Sequence, residues 1–88
     1  MAEQTVRIAS KHGLHARPAA LFAQAATAAA MPVQLVMGGK SVNAASILGV
    51  LSLGVDHGDE VTVTANGDGA ERVVAELVAL LLTDFDVN

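Results

Sequence analysis

The chain has no cysteine, no tryptophan and no tyrosine, and only two phenylalanines, Phe22 and Phe85. Without cysteine there is no disulfide, no thiolate metal site and no cysteine nucleophile, a composition that suits a reducing compartment. With so few rings, the 52% of residues that are apolar must build an aliphatic, close-packed core. Eighty-eight residues suffice for one such core, so a single domain over residues 1–88 is expected. Basic residues are also scarce. Five Lys and Arg stand against nine acids, giving a net charge of −4, which argues against nucleic acid as a partner. Long hydrophobic runs are missing as well. The nearest approach, PAALFAQAATAAAMPV, is mostly alanine and is broken by Gln24, too weakly apolar to enter a membrane. The start, MAEQTVRI, has no apolar signal region. A soluble, cytoplasmic protein is therefore expected.

What charge there is falls unevenly. Residues 1–55 hold Arg7, Lys11, Arg17 and Lys40 against Glu3, whereas residues 56–88 hold eight of the nine acids against Arg72. Such asymmetry can steer a partner toward one end of a small protein.

The periodicities give seven elements. QTVRIA at 4–9 alternates, with Val6 and Ile8 on one face, and reads as a strand. From Ala16 the alanine-rich ARPAALFAQAATAAAM predicts a helix, with Leu21, Phe22 and Ala25 at helical spacing and Pro32 as its end. PVQLVM and KSVN flank Gly38-Gly39 as a hairpin. SILGVLSLG predicts a short helix opened by Ser46 as N-cap and closed by Gly54. EVTVTA is a strand with Val61, Val63 and Ala65 inward. The last helix is expected to open on a capping-box-like DGAE, with Asp68 at the cap and Glu71 three residues on. It would bury Val74, Leu77, Val78 and Leu81. Strands with a single apolar face need cover on one side only. The fold class expected is α+β, an open-faced β-sandwich: a four-stranded antiparallel sheet with three helices on one face, in the order βαββαβα.

The chemistry concentrates in HGLHARPA at residues 12–19. Proline is tolerated only in a helix's first turn, where its missing N–H had no partner to lose. Pro18 therefore starts the helix at about residue 16 or 17 and leaves His15 at its threshold. Free first-turn amides and the positive end of the helix dipole form an anion site, and Arg17 adds a forked cation suited to phosphate oxygens. Gly13 lets the backbone turn sharply before His15. A positive environment keeps an imidazole neutral and hence nucleophilic. From these residues alone His15 is either a phosphate-bearing nucleophile or a mediocre helix cap. His57, among acids in DHGDE, reads as solvated, and His12 as a surface-loop residue. His12 and His15 flank a glycine turn, with no third ligand at a diagnostic spacing, so no metal is expected.

GLHARPA at 13–19 resembles the active-site signature of the histidine-containing phosphocarrier (HPr) family of the bacterial sugar phosphotransferase system. SILGVLSLGV at 46–55 resembles that family's second signature, and the spacing, length and element order agree. The resemblance implies that His15 is phosphorylated at Nδ1, and that Arg17 and the helix-start amides, Ala16 among them, hold the phosphate. It further implies that enzyme I takes the phosphoryl group from phosphoenolpyruvate and that the carrier passes it to IIA units of sugar permeases. No cofactor is implied. The protein would be a relay component with a covalent phosphohistidine rather than a stand-alone enzyme, acting as a monomer. In some bacteria an HPr kinase phosphorylates the serine matching Ser46. The partner-contacting patch falls on Ile47, Leu48 and Leu51, which cannot all face inward on a short helix that also buries Val50 and Leu53. Two departures stand out: Ala44 and Ala45 precede Ser46 where many members carry a lysine, and Gln24 and Thr27 occupy other customary lysine positions. A nitrogen-type or dihydroxyacetone kinase phosphorelay would use the same His15. A non-catalytic interaction or ligand-sensing domain is the alternative from another class.

Overall fold

In the computed structural model, which describes residues 2–9, 13 and 16–82, the elements run β1 (Ala2–Arg7), α1 (Ala16–Ala28), β2 (Val33–Met37), β3 (Lys40–Asn43), α2 (Ile47–Ser52), β4 (Glu60–Ala65) and α3 (Ala70–Leu81). The strands form one sheet in the order β1-β4-β2-β3, antiparallel at every junction. This is the expected open-faced α+β sandwich.

Alternation builds the sheet. Along β4, Val61, Val63 and Ala65 are buried, and opposite them on β2 Leu35 pairs with Val63 and Val33 with Ala65. These inward side chains meet Ala19, Phe22 and Ala26 of α1, Val50 of α2, and Val74, Leu77, Val78 and Leu81 of α3 in one cluster. The other face is polar, as the hydrogen bond between the Thr5 and Thr62 hydroxyls (2.8 Å) illustrates. The single apolar face of each strand is therefore satisfied by helices on one side. Gly38 and Gly39, both at positive φ (56° and 84°), turn β2 into β3 as the hairpin requires.

Several boundaries move. The first strand covers 2–7 rather than 4–9, because the β1–β4 ladder starts at Ala2 opposite Ala65 and ends at Arg7 opposite Glu60. Ile8 and Ala9 take their bonds elsewhere: the Ile8 N–H donates to Asp59 O (3.0 Å) and the Ala9 N–H to Leu81 O (3.2 Å).

Helix α1 ends at Ala28, before Pro32, and Ala30 adopts a left-handed conformation with φ of 56°. Its inward stripe is Pro18, Ala19, Phe22, Ala23 and Ala26. Leu21, expected at the packing spacing, is instead 39% exposed, because the periodicity was right and the phase was off by one residue. Helix α3 departs from the capping-box expectation. Its N-cap is Gly69, left-handed at φ 79°, with no side-chain cap. Asp68 lies one residue outside, while Glu71 stays in the first turn, where the dipole favours an acid. The stripe of Val74, Leu77, Val78 and Leu81 is buried as expected.

Candidate functional site

Helix α1 begins at Ala16, so the position immediately before its first residue is His15. His12 and His15 lie outside the described residues. Pro18 occupies the third helical position, within the first turn, and is fully buried. Its ring fixes the entry geometry at no cost in hydrogen bonds. Arg17, beside it, is exposed. Among the described residues the ion pairs are Arg7–Glu60 at 3.6 Å and Arg72–Glu76 at 3.7 Å, and no described carboxylate engages Arg17. An exposed forked cation thus adjoins the position of His15 in the chain, with no acid in the first turn of α1.

Gly13 is the other described point on this loop. It is buried, with φ of 71°, and lies against the backbone of Val55 and Asp56. His57, in the same turn, is exposed, as the sequence suggests.

The second signature comes to lie beside α1, the helix that opens within the first, because α1 packs on α2. The Ser46 hydroxyl accepts from the Gly49 N–H at 3.1 Å, which is the expected N-cap. Val50 and Leu53 point into the core. Ile47 is 39% and Leu48 77% exposed, so these two face outward. Leu51 is half-buried and packs on the core, a partial correction to its outward placement; on so short a helix it lies between the buried and open sides.

A shallow groove of about 230 Å³ runs between the two helices, lined by Ala20, Ala23, Gln24, Thr27, Ala45 and Ile47. Together with exposed Leu21 it extends the apolar surface beyond the patch read from sequence. The phase of the helical stripe set by Pro18, Ala19 and Phe22 is the signal that would have turned Leu21 outward. A larger cleft of about 590 Å³ lies at the start of β1 and α3, where Glu3, Asp68 and Glu71 contribute to its walls. Its acidic lining disfavours phosphate, and it is at the opposite end of β1 from Ile8. Among the described residues no group of three or more His, Cys, Asp or Glu is placed to hold a metal ion, and no helix is long and apolar enough to cross a membrane.

The described part of the site is thus an exposed arginine at the start of a helix, with exposed aliphatic residues on the neighbouring helix of a four-stranded α+β scaffold. Residues 2–83 match the family model described as the PTS HPr component phosphorylation site. Over 82 residues the chain is 44% identical to the phosphocarrier protein HPr of Streptomyces coelicolor, covering 92% of this chain and 88% of that protein. It is 46% identical over 79 residues to the HPr-like protein Crh of Bacillus subtilis, covering 90% and 93%. The crystal structure of HPr-C-His from Thermoanaerobacter tengcongensis superposes with a TM-score of 0.92 at 43% identity, covering 100% of this chain and 99% of that one. The chain belongs to the HPr family, the phosphocarriers of the bacterial phosphotransferase system.

Proposed function

We propose that this chain accepts a phosphoryl group from phospho-enzyme I on Nδ1 of His15 and passes it to IIA units of sugar permeases. The observation that supports this reading is the start of α1 at Ala16, the residue after His15 in the chain, with an exposed Arg17 in the first turn. As the phosphoryl group leaves enzyme I, a new N–P bond forms on His15. Arg17 and the first-turn amides, that of Ala16 among them, then face the dianion. Phosphoryl transfer asks a protein mainly for position and charge stabilisation, and these groups supply both.

The docking surface in this proposal is Ile47 and Leu48 with the half-buried Leu51, continued by the α1–α2 groove. An aliphatic patch suits a carrier that must leave two partners in turn, since a small interface releases readily. Ser46 is proposed as a regulatory position for an HPr kinase. A phosphate there would place a dianion beside the docking residues while remaining compatible with a helix start. The carrier is proposed to act as a monomer. The HPr of T. tengcongensis, at 46% identity, has also been solved as a dimer, so light scattering at working concentration is the check on that point.

The test is incubation with phosphoenolpyruvate and the enzyme I of the same organism. One acid-labile phosphoryl group per chain is expected, and His15→Ala should take up none. Incorporation into His15→Ala would defeat the assignment.

A further inference from the structure

We propose that the turn Val55–Asp59 is the platform that holds the phosphorylation loop in register, with Gly13 as its contact point, so that Gly13 and Asp59 are positioning residues for His15. This rests on His15 being the phosphoryl acceptor. A side chain at Gly13 would collide with the Val55 carbonyl oxygen, with its Cβ 2.7 Å from Asp56 Cα and 3.0 Å from the Val55 carbonyl carbon. All of these are backbone atoms, which cannot rotate aside. The positive φ of 71° adds its own penalty for any L side chain. The chain therefore passes over the turn at a distance only glycine permits.

The turn is itself braced. Asp59 Oδ2 accepts from the Asp56 N–H at 2.9 Å, and the Asp59 N–H donates to Asp56 O at 3.1 Å. It is also fastened to the chain leaving β1: the Gly58 N–H donates to Ile8 O (3.1 Å) and the Ile8 N–H to Asp59 O (3.0 Å). The segment from Ile8 to Gly13 thus begins and ends on the same short turn. Only Leu14 separates Gly13 from His15, and on the other side Ala16 is fixed in α1. Two described points thus flank the position of His15 in the chain, one of them resting on a turn distant in sequence. Misplacing a reacting group by about 1 Å is enough to slow transfer up to roughly 10²-fold, so these contacts bear on rate.

The experiment is single-turnover transfer from phospho-enzyme I, at a temperature where circular dichroism shows each variant folded. Asp59→Ala, which removes the acceptor for the Asp56 N–H, is expected to slow transfer about 10-fold or more at unchanged KM. Asp59→Asn, which keeps an acceptor oxygen, should restore most of the rate. Gly13→Ala should slow transfer further. Wild-type rates in Gly13→Ala or Asp59→Ala, with His15→Ala inactive, would overturn the positioning role while leaving the acceptor reading intact. So would a raised KM at unchanged maximal rate, which would make the turn a docking element. Label on His15→Ala would overturn the acceptor reading and the positioning role together.

Discussion

Arg17 is the exposed cation of the proposed site. Among the described residues no carboxylate pairs with it, so its side chain adds little to the packing of the fold. Surface substitutions of this kind shift stability by no more than about 0.5 kcal/mol. Arg17→Ala should therefore leave the melting temperature within about 4 °C of wild type while slowing transfer by about 10-fold or more, as single-turnover kinetics would read. A large fall in melting temperature at unchanged rate would make Arg17 a structural residue instead. The start of α1 was legible in the residues themselves, because Pro18 dictates where a helix begins. Gly13 was legible only as a turn. Its approach to Val55 and Asp56 joins segments far apart in the chain, and no local pattern encodes that.

Two helix ends carry tests at the scale of the element. Ser46 caps α2 through the Gly49 N–H, so Ser46→Ala should cost about 1 kcal/mol in denaturant unfolding, and Ser46→Asp should recover most of it. Equal stability of Ser46→Ala and wild type would show the cap to be idle. At the other end of α1, Ala30 sits at φ 56°, a conformation in which Cβ crowds the following carbonyl. Ala30→Gly should raise stability by about 0.5–1 kcal/mol, seen as a melting temperature higher by several degrees. A lower melting temperature would mean that glycine's extra freedom in the unfolded chain outweighs the relief of strain. Elements were the most readable level of the sequence where an apolar period ran unbroken, as in β4 and α3. Their ends were less so. The left-handed Gly69 displaced the expected Asp68 cap, and the register with β4 set the limits of β1. Both depend on partners outside the window that a periodicity samples.

For the whole molecule the decisive feature is how charge is distributed over the surface. Across α1 and α2 the only charged residue is Arg17, while Glu3, Asp68 and Glu71 gather around the distant cleft. Leu21, Ile47 and Leu48 are exposed aliphatic residues of these two helices, and Gln24 and Thr27, which line the groove, are polar but uncharged. Charge steering should contribute little to docking there. The KM for enzyme I is expected to change less than about threefold between roughly 50 and 300 mM salt, whereas Leu48→Asp should raise it about 10-fold or more by burying an unpaired charge. A steep salt dependence with a silent Leu48→Asp would place docking elsewhere. The exposure of Ile47 and Leu48 was legible in the sequence, through the impossibility of burying five apolar residues on a two-turn helix, whereas the half-buried Leu51 was not. The sequence did not show the groove, which exists only where α1 and α2 pack together.

The central claim is that one imidazole nitrogen, ahead of α1, carries the phosphoryl group. It is tested most directly by NMR of uniformly ¹⁵N-labelled protein phosphorylated from phosphoenolpyruvate through enzyme I. A ³¹P–¹⁵N coupling to Nδ1 of His15 is the expected result; a phosphorus signal coupled to another residue, or to no nitrogen at all, would contradict it.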